Sequence, residues 1–109
     1  MMDHADALAA MLSLEPVAAE QLVSGQPTTG SRALGTFAGR EYGVWEMSPG
    51  AMSDVEVDEL FVVVSGAGRV EFADGSAPVE LAPGSVGRFA AGTRTVWTVS
   101  ATLRKIYLA

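Results

Sequence analysis

A run of acidic residues just before the most hydrophobic stretch of the sequence is the part best suited to chemistry. It reads DVEVDE and ends at Glu59, and the apolar residues Leu60 to Val64 follow it. Successive residues of a strand point to opposite faces, so Asp58 and Glu59 cannot both face the interior. Glu59 shares its face with Phe61. We interpret Glu56 and Asp58 as solvated residues at the start of the strand.

Two tryptophans and a threonine form a second candidate group. Trp97 lies two residues after Thr95, so both side chains share one face of a strand. Together with Trp45 they provide aromatic walls and a polar group, which is typical of a small-molecule pocket. The alternative is that each tryptophan only fills the core.

Residue types that several catalytic classes need are missing. The sequence has no cysteine, which excludes a disulfide framework, a thiolate metal site and a cysteine nucleophile. Its single histidine is His4, close to the N-terminus and far from the other candidates. A Ser-His-Asp triad is therefore excluded. The glycines lie in turns rather than before a helix, so they do not support a phosphate-binding loop.

Length and charge further restrict the class of protein to which the chain can belong. The 109 residues suit one domain, and 13 acidic against 7 basic residues give a net charge of −6. The basic residues are scattered, so we expect neither a nucleic-acid nor a membrane partner. No apolar run approaches the roughly 20 residues that span a bilayer. The N-terminus lacks the basic and apolar regions of a secretory signal, and we predict a cytoplasmic protein.

The N-terminal sequence DHADALAAMLSL predicts a short helix or arm, capped by Asp3 and ended by Pro16. Residues 1–24 are therefore assigned to this helix or arm, and residues 25–109 to the main domain. Residues 24–35 are rich in turn formers and predict a loop, with a short strand near Arg32 to Leu34.

From Glu41 onward short strands alternate with turns. The predicted strands are EYGVWEM, ELFVVV, RVEF, PVELA, SVGRF, TVWTVS and LRKIYLA, and GAG between the second and third is predicted to be a turn. Many short strands without helices between them indicate an antiparallel sandwich or barrel. Because Leu60 to Val64 is apolar on both faces, its outer face predicts a homodimer.

The sequence resembles the two signature motifs of the cupin superfamily, RmlC-like jelly rolls. In the first motif, Glu59 is followed by six residues and Gly66, with Gly50 upstream; the second runs from Gly84 to Ala90-Ala91-Gly92. The metal-binding histidines are missing: their places fall on Ser53 and Val55, or on Met52 and Asp54, and on Thr95, while Val99 stands in place of the motif's Asn.

The resemblance implies an all-β fold, a cupin-type antiparallel β-barrel (double-stranded β-helix, or jelly roll) with a short N-terminal helix or arm. It also implies that Glu59 faces the interior. There Glu59 is either a catalytic acid or base or a structural partner of Arg88, Arg94 or Tyr42. We expect no cofactor and no tightly held transition metal. Oxygen ligands, namely Glu59, Asp58, Glu56 and Thr95, are the candidates for weak Mg²⁺ or Ca²⁺ binding.

A closer similarity is to small single-domain cupins related to ureidoglycine aminohydrolase and to the ethanolamine-utilisation Q-type protein. It covers roughly residues 25–109 and includes GQPTTGSRAL, YGVWEMSPG and AGTRTVWTV. It implies a barrel with a pocket for a small polar metabolite. The predicted ligand-binding residues are Trp45, Glu59, Phe61, Arg88, Thr95 and Trp97. Two alternatives stay open: a small-metabolite enzyme, a hydrolase similar to ureidoglycine aminohydrolase or a related enzyme, that uses Glu59 as acid or base, and a structural subunit that serves only assembly.

Overall fold

A computed structural model describes all 109 residues of the chain. The structure is all-β, with nine strands and no helix. The strands are β1 (Glu15–Pro16), β2 (Leu22–Gly25), β3 (Thr28–Phe37), β4 (Arg40–Met47), β5 (Gly50–Val55), β6 (Glu59–Phe72), β7 (Val79–Leu81), β8 (Val86–Phe89) and β9 (Arg94–Leu108). Every strand pairing is antiparallel. The predicted cupin-type antiparallel barrel is confirmed.

Two long strands, β6 and β9, close the sheet on itself. The first half of β9 pairs with β5, and its second half pairs with β4. Along its whole length β9 also pairs with β6, whose other edge binds β7 and β8. A curled sheet of this kind buries one face completely, because the inward side chains of opposite strands meet across the interior. The core and the candidate site both lie on that inner face.

The predicted turn at GAG is wrong, because β6 runs through it without a break. The pairing of β6 with β9 shifts register three times between Val63 and Gly68, so this stretch is bulged rather than reversed. Gly66 has a φ of +87°, and a Cβ there would stand 2.0 Å from the carbonyl oxygen of Thr102. The glycines therefore serve the close approach of two backbones. The two predicted strands TVWTVS and LRKIYLA likewise form one continuous strand, β9.

Of the two alternatives predicted for the N-terminus, a helix or an arm, the structure has no helix. The segment holds one turn at residues 7–9, where the side chain of Asp6, not Asp3, accepts hydrogen bonds from the backbone amides of Leu8 and Ala9. Arg104 binds the carbonyl oxygens that a continuing helix would use, those of Ala7, Leu8 and Ala10. The segment is thus held as an extended arm against the outside of β9.

Several strands are longer or earlier than the sequence indicated. The predicted loop at residues 24–35 contains most of β3, β1 lies within residues 1–24, and β2 runs one residue beyond that range to Gly25. β1 pairs with β3, and β2 pairs with β5. β5 itself was not predicted, because its start, Gly50, follows Ser48-Pro49, which reads as the end of a strand.

The outer face of β6 and β8 carries exposed apolar side chains. Leu60 is 45% exposed and Val86 is 69% exposed. This is the surface from which the sequence predicts a homodimer, and the homodimer stays a prediction. The chain has no helix that is long and apolar enough to cross a membrane.

Candidate functional site

One end of the barrel interior holds a cavity of about 260 Å³ lined mainly by charged and aromatic residues. Strand alternation brings these side chains together, because every second residue of β4, β5, β6 and β9 points inward. Four carboxylates, two tryptophans, a lysine and a tyrosine line it, namely Glu41, Asp54, Glu56, Glu59, Trp45, Trp97, Lys105 and Tyr107. Such a mixture of aromatic walls and few, clustered polar groups is typical of ligand pockets.

Lys105 of β9 is the single positive charge of the cavity. Only 4% of Lys105 is exposed to solvent, and its ammonium nitrogen lies 2.6 Å from Oε2 of Glu59. The same nitrogen lies 4.7 Å from the ring centre of Trp45 and 4.8 Å from those of Phe61 and Trp97. Ammonium groups are attracted to aromatic faces at these distances. Lys105 is therefore held by one carboxylate and a box of aromatic rings.

Glu59 faces the interior, as the resemblance implied, but its partner differs from every predicted candidate. Lys105 binds it, whereas Arg88, Arg94 and Tyr42 make no hydrogen bond to it. Arg88 and Arg94 are exposed. The strand period explains this outcome, since Phe89 and Thr95 take the inward positions next to the two arginines.

Glu56 is not the solvated residue that the sequence indicated. It is 7% exposed, and its Oε2 accepts hydrogen bonds from Oγ1 of Thr95 at 2.7 Å and from Nε1 of Trp97 at 3.0 Å. Its other oxygen, Oε1, accepts none from the chain. Both donors are neutral, so the negative charge of Glu56 is not cancelled within the protein. Asp58 is exposed as predicted, and it caps the loop at Ala91.

Asp54 reaches the same cavity from β5. Burial raises the pKa of its carboxyl above the ordinary 3.8, and the charge of Glu56 raises it further. The backbone amide of Val55 donates to Oδ1 at 2.8 Å and opposes the shift. Two carboxylates that share a buried space each disfavour the ionised form of the other. Asp54 is therefore the group in the cavity best suited to exchange a proton.

Glu41 and Tyr107 form the opposite edge of the cavity. The phenol of Tyr107 donates a hydrogen bond of 2.7 Å to Oε2 of Glu41. Burial raises the pKa of Tyr107 to about 12, and the bond to Glu41 adds to the effect. Gly43 leaves the space for this phenol, because a Cβ there would stand 2.7 Å from the hydroxyl oxygen.

The other predicted ligand-binding residues are divided between the cavity and its surroundings. Trp45 and Trp97 line the cavity, with ring centres 5.3 Å apart. Phe61 lies beneath Lys105 in the core, and Thr95 stands behind Glu56. Arg88 lies outside, on the exposed face of β8.

The residues present do not fit the metal that the cupin fold commonly holds. Of the two candidate pairs at the missing histidines, Met52 and Asp54 are the inward ones, and Met52 is packed in the core. The remaining ligand position, Glu59, is bound to the ammonium of Lys105. No three acidic, histidine or cysteine side chains are grouped so as to hold a metal ion. A cation from the chain itself, Lys105, occupies the place beside Glu59.

Four ionisable residues of the cavity were missed by the sequence interpretation: Glu41, Asp54 as a site residue, Lys105 and Tyr107. The available signal was the alternation in LRKIYLA, which puts Leu103, Lys105 and Tyr107 on one face. Arg104 and Ile106 on the other face are equally mixed in polarity, so the alternation does not tell which face is inside.

Fold and cavity together define a barrel protein of the cupin class with an acidic, aromatic interior in place of a histidine metal site. Residues 34–107 match the model of the EutQ-like cupin domain family. The chain belongs to this family. A comparison with curated proteins gave no match.

Solved structures support the same fold. A protein of unknown function from Pseudomonas syringae superposes with a TM-score of 0.77 at 25% identity, covering 92% of this chain and 44% of that one. The chain thus spans less than half of that protein. The EutQ protein of Clostridium difficile gives 0.63 at 20% identity, with 75% and 61% covered. A putative ethanolamine utilization protein Q from Salmonella typhimurium gives 0.62 at 13% identity, with 91% and 94% covered.

Proposed function

We propose that the chain binds a small polar metabolite in the barrel cavity without a tightly held transition metal. The observation that carries the proposal is Glu56. This carboxylate is almost fully buried, yet only one of its oxygens is hydrogen-bonded within the chain. Its other oxygen is accessible, since no sealed side-chain oxygen or nitrogen of the chain lacks a partner, and a ligand in the cavity can complete its pairing.

The surroundings of Glu56 support the same proposal. Trp45 and Trp97 give the cavity flat apolar walls, and Asp54 gives it a second carboxylate. The cavity volume of about 260 Å³ lies below the usual range for drug-sized ligands and suits a metabolite of a few heavy atoms.

A thermal-shift screen of small metabolites tests the proposal, with Glu56→Gln as the site variant. A ligand at 100 times its Kd stabilises the folded state by about 2.7 kcal/mol, which is easily measured. We expect a stabilising ligand that Glu56→Gln no longer responds to. The matched control is Glu80→Gln, because Glu80 is an exposed carboxylate on the outer surface that binds only Arg69. Equal shifts in both variants, or no shift with any metabolite, would contradict the proposal.

A second candidate function is acid–base catalysis on such a metabolite, and Asp54 is the observation that favours it. Its raised pKa and its place in the cavity suit a group that takes up and releases a proton. Glu59, the acid or base indicated by the sequence, is less suited because Lys105 holds it in an ion pair. Loss of turnover in Asp54→Asn at saturating ligand concentration would establish this function; turnover retained at saturation would exclude it.

The homodimer predicted from the sequence is tested independently of the cavity. Sedimentation velocity of the full chain and of Val86→Lys is the measurement, since Val86 is the most exposed apolar residue of the outer face of β6 and β8. We expect a dimer that the charged variant weakens. A monomer at all concentrations would refute the prediction and with it a role in assembly alone.

A further inference from the structure

The charges that face the cavity are strongly unbalanced. Four carboxylates line it, against one ammonium, so the cavity carries three net negative charges when its carboxylates and its lysine are ionised. The ammonium of Lys105 is already paired with Glu59, and the hydroxyl that Tyr107 offers to Glu41 is neutral. The charge of Lys105 also lowers the pKa of Asp54, but burial and the charge of Glu56 outweigh it, so the net effect disfavours the ionised form of Asp54 beside Glu56.

The hydrogen bonds of Glu56 show which of its oxygens is free to bind a ligand. More than nine-tenths of its surface is buried, and both donors that it has, Thr95 and Trp97, bind the same oxygen, Oε2. The free oxygen, Oε1, belongs to a residue that lines the cavity. Asp54 lies close enough for its pKa to be raised by the charge of Glu56. A positive group that entered the cavity would relieve the repulsion between the two carboxylates.

The aromatic walls point to the same kind of ligand. Trp45 and Trp97 already bind one cation of the chain, since the ammonium of Lys105 lies 4.7 Å and 4.8 Å from their ring centres. Aromatic faces carry negative potential and attract ammonium and guanidinium groups. The absence of any three grouped ligand side chains argues against a bare metal ion as the occupant.

We infer that the ligand of this cavity is a small organic cation, a protonated amine or guanidine, whose charged group binds Oε1 of Glu56 and the carboxylate of Asp54. This inference rests on the proposed function and narrows it to one charge class. Lys105 then acts as a built-in counter-ion for Glu59. It leaves Glu56 and Asp54 for the ligand.

Three compounds of similar size and different charge test the inference: propylammonium, propanol and propionate. Trp45 and Trp97 are the only tryptophans of the chain and both line the cavity, so their fluorescence reports its occupancy. We expect propylammonium to bind at least about tenfold more tightly than propanol, a difference of about 1.4 kcal/mol. Propionate is expected not to bind.

Variants separate this inference from the function on which it rests. Glu56→Gln is expected to weaken propylammonium binding at least about tenfold, whereas Glu80→Gln leaves it unchanged. Binding of propanol or propionate with equal or greater affinity would overturn the cation inference and leave the pocket function standing. Binding of none of the three compounds, up to about 10 mM, would overturn the inference as it stands, and the metabolite screen then decides the function by itself.

Discussion

Glu56 and Glu59 stand three residues apart, and both reach the interior of the barrel, yet the protein satisfies them in different ways. Glu59 has a full positive charge beside it, Lys105 at 2.6 Å, and aromatic rings surround the ammonium of that lysine. Glu56 has only the hydroxyl of Thr95 and the indole of Trp97. In the first arrangement Lys105 neutralises the charge of Glu59. In the second, neutral donors orient the carboxylate of Glu56 without neutralising it.

We therefore distinguish two halves of the barrel interior. The structural half surrounds Glu59 and Lys105, and the open half surrounds Glu56 and Asp54. A buried ion pair is worth little over an apolar pair, but its loss is expensive because it leaves an uncompensated charge. A carboxylate held by neutral donors keeps its charge and its affinity for a cation. In this barrel the first half balances the charge of Glu59 with a lysine of the chain, and the second half is where we propose that the ligand binds.

The largest expected effect comes from breaking the ion pair. Lys105→Met keeps most of the side-chain volume but leaves Glu59 without a partner, and we expect the free energy of unfolding to fall by about 3 kcal/mol. Urea denaturation followed by tryptophan fluorescence measures it. The double variant Lys105→Met/Glu59→Gln is expected to regain most of the loss. A single variant within about 0.5 kcal/mol of the parent would show that the two halves do not differ.

Removing the orienting carboxylate has a smaller effect. Glu56→Ala leaves the donors of Thr95 and Trp97 without an acceptor, and we expect a loss of about 2 kcal/mol. Glu56→Gln retains an acceptor oxygen and is expected to cost less than about 1 kcal/mol. The indole N–H resonance of Trp97 in an ¹⁵N-correlated NMR spectrum is expected to move strongly in the alanine variant only. Equal losses in both variants would mean that the charge, rather than the hydrogen bonds, holds the two donors.

The contrast between Glu56 and Glu59 also shows what the sequence could predict. The spacing from Glu59 to Gly66 matches the cupin motif, so both the fold and the inward position of Glu59 were predictable. The inward position of Glu56 was not predictable, because just before β6 the acidic side chains face the interior and the valines face solvent, which is the reverse of the usual pattern. There Val55 and Val57 are 52% and 56% exposed, whereas Asp54 and Glu56 face the interior. Hydrophobic alternation assigns these two acids to solvent.

Lys105 was missed for a different reason. A lysine in an alternating strand is normally placed outside, and only the ring faces and the carboxylate that surround it make its burial favourable. Those partners come from β4 and β6, far away in sequence. The pair with Glu59 depends on the register between β6 and β9, which shifts at three bulges. A single sequence does not specify such bulges.

Tyr107 tests the edge of the cavity that it forms with Glu41. Tyr107→Phe removes the hydrogen bond to Glu41 and is expected to cost about 1 kcal/mol. The pKa of this tyrosine is raised to about 12, so the folded state retains a proton that the unfolded chain loses near its ordinary value of 10. The stability from this group is complete below that ordinary value and is lost as the pH rises to about 12. The phenylalanine variant is expected to lose less stability over this range, measured by urea denaturation at several pH values.

Asp54→Asn is expected to have the smallest effect on stability. It is also the most direct test of the contrast between Glu56 and Glu59, because it removes a charge without removing a hydrogen bond. The asparagine oxygen still accepts from Val55, so the hydrogen bond is kept. Burial and the charge of Glu56 raise the pKa of Asp54, so the folded state binds a proton more tightly than the unfolded chain does. Ionised Asp54 therefore destabilises the fold at neutral pH, and the penalty disappears as the pH falls below the ordinary pKa of 3.8.

We accordingly expect Asp54→Asn to raise Tm at neutral pH and to leave it unchanged in acid, measured by thermal denaturation across the pH range. Glu80→Gln on the outer surface is expected to raise Tm at neither pH. A fall in Tm of Asp54→Asn at neutral pH would mean that Asp54 is already paired within the barrel. The open half would then be as fully balanced as the half that holds Lys105, leaving no excess charge for a cationic ligand to relieve.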